Sequence, residues 1–420
     1  MQKITAILIG AGSRGKRYTD IMKEMPDKFE VVAVAEPVES RRNDIKNIHN
    51  LPEERCFSDW KELLELGKIA DIAIIATMDR DHFAPSMKAI ELKYDILLEK
   101  PIAPTEEECS QIVAAAKEND VKVLICTVLR YTPLFQCLKK QIDDDVIGKV
   151  MSINHEECVG NVHQSHSFVR GNWGNSERSS GMLLQKSCHD MDLLQWLIGK
   201  KCKKIQSFGT ISYFTKENAP EGAPEYCIDG CPEAERCPYN AVKLYLENED
   251  PDQREWFTTA ATKRVNPTRA EIEKVLRETQ YGKCVFKCDN DVVDHQVVSL
   301  LFEDDVMATF TMNAFNKGGR FIHIMGTKGE MHAVLEDKSP IRIYRFEENA
   351  TTEIPMEDLD GILGDHSGGS EGIICALYEY LNGTYEGNAI PEIEESFLSH
   401  QMVFAAEKSR KENVVVSLDL

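Results

Sequence analysis

Directly after the apolar run Ile4–Gly10 comes Gly10-Ala11-Gly12-Ser13-Arg14-Gly15, which opens a helix-like stretch. In a strand-to-helix turn, Gly10 permits the tight bend and Gly12 lets backbone approach a pyrophosphate. Gly15 lets the helix pack on its sheet, with the N–H groups at the helix start, Ser13 and Arg14 among them, facing the phosphates. Glu36 follows the second apolar run. A carboxylate there accepts from both adenosine ribose hydroxyls and repels a 2′-phosphate, which favours NAD, although Arg41 and Arg42 leave NADP open. Further on, Glu99-Lys100-Pro101 ends an apolar run, where a lysine can meet a substrate hydroxyl. His189 begins a second candidate: His189, Leu193 and Trp196 share a helical face, and a helix start disfavours imidazolium, so a neutral base is available to an alcohol proton.

Positioning such groups takes a particular set of elements. Residues 1–127 alternate short apolar runs (Ile4–Gly10, Val31–Ala35, Cys56-Phe57, Ile72–Ala76, Asp95–Leu98, Val121–Cys126) with amphipathic stretches, the clearest being Thr105 to Asn119 with its capping box. That alternation predicts a dinucleotide-binding domain on a doubly wound parallel sheet, an α/β fold. Residues 128–420 change to longer segments rich in Val, Ile, Phe and Thr: Val150–Cys158, Lys204–Phe214, Val297–Phe302, Val306–Phe315, Phe321–Thr327 and Ile341–Phe346. They predict an α+β domain with a largely antiparallel sheet, one helix near His189–Gly199, a last helix from about Pro391 to Lys411, and a polar, Cys-containing insertion at about 215–283.

The order GxGxxG, Glu36, Thr77 to His82, Glu99-Lys100-Pro101 and Arg130-Tyr131-x-Pro133 resembles the glucose-fructose oxidoreductase/inositol dehydrogenase/MocA family. Leu184 to Leu197 is similar to that family's catalytic-helix segment, and Ser399 to Arg410 to its closing helix. The resemblance implies a pyridine-nucleotide oxidoreductase acting on a ring hydroxyl of a sugar or cyclitol. It places Lys100 and His189 at the reacting carbon, with Thr77, His82, Glu99 and Lys100 on the cofactor side. It also admits a redox-neutral glycoside hydrolase that oxidises, eliminates and re-reduces. A third reading is a cofactor-binding regulator without catalysis, against which the presence of both Lys100 and His189 speaks.

One position departs from the pattern. Inositol-dehydrogenase-like members carry Asp four residues before the histidine, and here Gln185 stands there beside Lys186. Lys186 is therefore a further catalytic candidate, able to depress the His189 pKa or bind substrate oxygen, unless it is a solvated surface group. The stretch Asn161 to Trp173 is dense in polar and aromatic groups, the chemistry of carbohydrate recognition, and His166, Arg170 and Trp173 are the expected substrate contacts. The alternative is an ordered loop held by its own contacts. Asp365-His366-Ser367-Gly368-Gly369 resembles the family's His-Gly-Gly loop.

Cys227-x3-Cys231-x5-Cys237-Pro238 gathers three thiols in the insertion, with Cys284, Cys288 or Cys202 available as a fourth ligand. Structural zinc is the candidate metal, stabilising an insertion too polar for its own core; the run lacks the compact spacing of iron–sulfur ligands, and unliganded thiols are the alternative. Forty-nine Lys and Arg against 70 Asp and Glu leave a formal charge of −21 over 420 residues, which argues against nucleic acid and anionic membranes. No apolar run reaches membrane-spanning length and thirteen scattered cysteines suit a reducing compartment, so a cytoplasmic protein is expected. An outer sheet face rich in Val, Ile and Phe predicts a homodimer or homotetramer.

Overall fold

In the computed structural model, which describes residues 2–335, 339–359 and 367–418, the apolar runs of the first 127 residues form six parallel strands. They are β1 (Ile4–Ile9), β2 (Phe29–Ala35), β3 (Cys56–Phe57), β4 (Ile72–Ile75), β5 (Asp95–Leu98) and β6 (Val123–Ile125), in the order β3-β2-β1-β4-β5-β6. β1, β4, β5 and β6 are buried on both faces, which is why they read as continuous apolar runs rather than alternating ones. The strand order reverses between β1 and β4, and the carboxyl edge of the sheet at such a reversal is where doubly wound folds place a ligand crevice.

The second sheet has nine strands: β7 (Val150–Cys158), β8 (Cys202–Thr210), β9 (His295–Phe302), β10 (Met307–Asn313), β11 (Gly319–Gly326), β12 (Gly329–Leu335), β13 (Ile341–Arg345), β14 (Ala350–Ile354) and β15 (Val416–Ser417). Its order is β14-β13-β12-β11-β7-β10-β9-β8-β15, and every pairing is antiparallel except β7 with β10. The expected α/β fold with a largely antiparallel second sheet is therefore present. The strand expected to run to Phe214 stops at Thr210, because Asp294 turns its Oδ2 to the N–H groups of Ser212 and Tyr213 and bends the chain out of the sheet. One face of this sheet packs on helices Cys188–Ile198 and Ile393–Glu412; the other leaves Met151, Phe208, Val297, Met307 and Phe321 exposed.

The insertion holds helices Ala241–Tyr245, Pro251–Thr262 and Arg269–Glu278. Contrary to the sequence-based expectation, it has an apolar core of its own, built from Leu244, Tyr245, Phe257, Ile272 and Leu276. Those side chains are few and widely spaced, so composition hid them; helical spacing brings Ile272 and Leu276 onto one face. A helix not foreseen, Gly369–Leu381, docks on the first domain, where Tyr378 meets the Phe29 ring edge-on at 5.5 Å and Glu371 pairs with Arg17.

Candidate active site

The Gly10–Gly15 turn lies at the strand-order reversal. Gly10 has φ +91°, and a Cβ on it would lie 2.6 Å from the Ala76 carbonyl oxygen. A Cβ on Gly15 would lie 2.0 Å from the Gly10 oxygen, so the helix start can approach the turn only with glycine there. A Cβ on Gly12 would meet no atom within 4 Å, and Gly12 caps helix Ser13–Glu24 without any side-chain hydrogen bond or acidic residue in the first turn. Open space in front of uncapped N–H groups suits a pyrophosphate. Glu36, 4% exposed, accepts from the N–H groups of Ala11 (2.7 Å) and Val38 (2.9 Å). Each carboxylate oxygen keeps a further lone pair for a ribose hydroxyl, so these residues fit a dinucleotide.

Other residues expected on the cofactor side prove to brace the crevice. Arg14 donates from Nε to Glu99 Oε1 (3.0 Å) and from Nη2 to the Tyr18 hydroxyl (2.7 Å), turning its guanidinium inward from the loop. Glu99 also accepts from Tyr18 Oη at 2.5 Å and from the Lys100 N–H at 3.0 Å. Burial would raise its pKa, but the charges of Arg14 and Lys100 outweigh burial and hold it below the ordinary value. His82 is buried with its ring nitrogens against the carbonyl oxygens of Pro101 (2.7 Å) and Thr77 (3.2 Å), and Thr77 Oγ1 donates to the Asp81 carbonyl. His82 thus ties the loop after β4 to the loop after β5.

Lys100 Nζ donates to the carbonyl oxygen of Gln185 at 2.5 Å, four residues before His189, which lies in the first turn of Cys188–Ile198. The residue in place of the relay aspartate therefore meets Lys100 through its backbone. Three further ties fix the helix. Asp190 is fully buried and its Oδ1 accepts from His155 Nε2 (2.8 Å) and Arg320 Nε (3.0 Å). Burial would raise the Asp190 pKa, but Arg320 and then His155 outweigh that and hold it low. Asp192 takes Arg130 in a bidentate pair at 2.6 and 2.7 Å, and Arg130 Nη1 reaches Glu395 at 2.8 Å. From the far side, Ile102 N–H donates to His400 Nε2 at 3.0 Å, so the closing helix holds the loop that follows Lys100.

Lys186 is not a solvated surface group. Its Nζ lies 3.4 Å from Glu157 Oε1, and Glu157 Oε2 lies 2.5 Å from Arg320 Nε. The buried chain Lys186–Glu157–Arg320–Asp190–His155 is the part that sequence reasoning missed. Its one signal is that His155 and Glu157 alternate onto the inward face of β7, where Arg320 stands opposite Glu157 in register.

The expected substrate contacts take other places. Gln164–Arg170 is a buried π-helical stretch, and its side chains face the insertion. His166 Nδ1 lies 2.7 Å from the Tyr245 hydroxyl, with its ring 4.4 Å from Phe257. Arg170 donates to the carbonyls of Lys283 (2.9 Å) and Tyr239 (2.7 Å). These contacts turn both side chains toward the insertion; spacing at i and i+4 gives the two residues one shared face, and the insertion covers it. Trp173 is half-buried against Phe168. Asp365 and His366 lie outside the described residues. Among the described residues the one set of three potential ligands within 4.8 Å is His323, Glu330 and His332 on β11 and β12, so Cys227, Cys231 and Cys237 do not stand at single-ion spacing.

Comparison with known proteins settles the lineage of this arrangement. Residues 4–127 match the family described as the NAD-binding Rossmann fold of an oxidoreductase family, and residues 139–418 match its C-terminal alpha/beta domain. The chain belongs to the Gfo/Idh/MocA oxidoreductase family. It is 24% identical to the Bacillus subtilis protein YteT over 336 residues, 76% of this chain and 74% of that one. It is 27% identical over 204 residues to the 2,7-anhydro-N-acetylneuraminate hydratase of Escherichia coli, covering 48% of this chain and 51% of that enzyme. The levoglucosan dehydrogenase of Pseudarthrobacter phenanthrenivorans matches at 26% over 213 residues, 48% of this chain and 52% of that one. The chain thus spans about half the length of these two named enzymes. Its fold superposes on an oxidoreductase domain protein from Kribbella flavida with a TM-score of 0.71 at 14% identity, covering 100% of both chains. No helix among the described residues is long and apolar enough to cross a membrane.

Proposed function

We propose that this family member moves hydride between a ring carbon of a sugar or cyclitol and a nicotinamide, with Lys100 and His189 handling the hydroxyl proton. The observation that carries the reading is the Lys100 ammonium on the Gln185 carbonyl, which brings the carboxyl edge of the Rossmann sheet against the start of the His189 helix. The nicotinamide, when bound, supplies or accepts the hydride. Gly10, Gly12, Gly15 and Glu36 hold the dinucleotide, and the negative carboxylate at Glu36 favours NAD over its 2′-phosphorylated form. Arg42 does not reverse that preference, because its Nη1 is taken by the Glu36 carbonyl oxygen at 2.5 Å.

A substrate hydroxyl oxygen displacing the Gln185 carbonyl would accept from the Lys100 ammonium while its own proton passes to a neutral His189 as it becomes a carbonyl, the proton returning in the reverse direction. Lys186, held by Glu157, offers positive charge beside that site. Trp173 is the remaining member of the expected substrate set.

A second reading, in which oxidation at one carbon drives elimination or hydration and the cofactor is restored, draws support from the anhydro-sugar hydratase among the relatives. One experiment separates them: NAD+ with a panel of pyranosides, anhydro-sugars and cyclitols, following reduced nicotinamide by absorbance and products by mass spectrometry. Net reduction abolished by Lys100→Met supports the dehydrogenase. A changed glycoside without net reduction, also lost in Lys100→Met, supports the redox-neutral route. Turnover that survives Lys100→Met refutes the assignment of Lys100.

A further inference from the structure

Away from the crevice, where the insertion meets the segment before the His189 helix, Cys227, Cys231, Cys237 and Cys284 line one small cavity together with Arg170 and Tyr239. None of these thiols is in a disulfide. The chain is shaped to gather them: Gly230, at φ +88°, turns the backbone between Cys227 and Cys231, and an antiparallel bridge between Tyr226 and Lys283 holds the two segments together, with Cys284 N–H donating to the Glu225 carbonyl and Cys227 Sγ 3.8 Å from the Lys283 carbonyl oxygen. Cys288, by contrast, directs its Sγ to the Cys284 carbonyl and stays off the cavity wall.

Arg170 supplies a second, independent observation. It is 1% exposed, its Nη2 lies 3.7 Å from Cys227 Sγ, and its other donors go to neutral carbonyls. Its Nη1 is buried with no hydrogen-bond partner, and no carboxylate among the described residues pairs with it. Glu233 reaches the same cavity wall without forming that ion pair. A buried guanidinium without an anion is costly, and the cavity it faces is walled by sulfur.

We infer that Cys227, Cys231, Cys237 and Cys284 are the ligands of a metal–thiolate centre and that Arg170 is its buried counter-cation. Each thiol loses its proton to solvent on binding, so four thiolates around a divalent ion carry a net charge of minus two, part of which Arg170 offsets. Such a centre would pin the insertion to the strand-entry segment at Cys284 and, through Arg170, to the segment leading toward the His189 helix. Two fillings share this chemistry. Tetrahedral zinc, with bonds of about 2.3 Å, needs sulfurs roughly 3.8 Å apart. No three of these sulfurs stand within 4.8 Å of one another, so a single ion must draw them inward, whereas an iron–sulfur cluster places its irons on separate thiolates and spans a wider set.

The test is metal and acid-labile sulfide analysis of the full-length protein purified without chelator and without oxygen. Zinc near one per chain without sulfide establishes the single ion; iron and sulfide in equal amounts establish the cluster. Cys231→Ser and Cys284→Ser should each lower the content at least about tenfold, and Cys288→Ser should leave it unchanged. Metal below about 0.1 per chain in the folded wild type, with no thiolate charge-transfer band on adding Co2+, overturns the inference whatever the variants do. Loss of metal in Cys288→Ser with retention in Cys284→Ser overturns the assignment of the fourth ligand.

Discussion

His400 couples stability to pH through the loop that carries Lys100. It is fully buried in the closing helix, its Nε2 accepts from the Ile102 N–H, and its Nδ1 meets the Ser396 carbonyl at 2.8 Å. The neutral ring satisfies both contacts, and protonation removes the acceptor that Ile102 needs. Burial, opposed in part by the Ser396 carbonyl, pulls its pKa from 6.5 to about 4. The unfolded chain therefore takes up this proton first as pH falls. Stability from this group is whole above about pH 6.5, declines between 6.5 and 4, and is level below. A shift of that size corresponds to about 3 kcal/mol. Urea denaturation at several pH values across this window should show that decline in the wild type. In His400→Gln, whose amide can accept from Ile102 and donate to Ser396, about 3 kcal/mol of the decline should disappear. An unchanged slope in His400→Gln refutes the argument. His166, drawn to about 3 by burial and the nearby Arg170 charge, and His49, drawn to about 4 by burial and the nearby Lys23 charge, titrate with the same sign and contribute to a decline that remains.

Gly12→Ala and Gly15→Ala should separate ligand binding from folding: the first leaves the melting temperature near wild type while weakening NADH at least about tenfold by fluorescence titration, and the second, with its Cβ 2.0 Å from the Gly10 oxygen, lowers the melting temperature itself. Arg320→Met leaves Glu157 and Asp190 buried without their shared cation and should cost roughly 3–5 kcal/mol in urea denaturation; a loss under about 1 kcal/mol would show that Lys186 and His155 suffice. Light scattering should give a multiple of 47.5 kDa. Phe208→Glu with Met307→Glu, both on the exposed face of the nine-stranded sheet, should reduce it to a monomer, and a wild-type monomer would remove the reason for that apolar face.

The first domain was legible because its inner strands are buried on both sides and each turn carries its own chemistry. Gly10 and Gly15 stand where the tight turn and the close helix approach leave no room for a Cβ, as their spacing in the sequence expects. The second domain was legible in type but not in detail. β14 is exposed along most of its length and β15 has two residues, so neither offers an apolar pattern to read. That His166 and Arg170 pack against the insertion could not be read from their types. Their residue types suit sugar recognition, but the same types suit holding a polar insertion, and only the direction of a buried helical face decides between the two. Glu157, Asp190 and Arg320 lie far apart in sequence, and nothing local marks them as one network.

That network bears on the missing carboxylate at Gln185. A relay aspartate at this position would sit one helical turn before His189. Two carboxylates that could stand in for it are Asp190, directly after the histidine, and Glu157 on β7. Both are committed: Asp190 to His155 and Arg320, Glu157 to Arg320 and Lys186. Their negative charge is thus spent within the buried chain, which ends at the partly buried Lys186 ammonium, so the proposed site would hold two lysines and a histidine with no uncommitted carboxylate from this pair. A cationic site favours an alkoxide developing on the substrate over an imidazolium developing on His189. The Lys100 ammonium should then hold the developing alkoxide rather than accept its proton, and Lys186→Met, by removing one positive charge, should raise the pH at which the alcohol is oxidised at half its maximal rate. A profile that does not move would place Lys186 outside the reach of the reacting oxygen and leave it as a clamp on Glu157 alone.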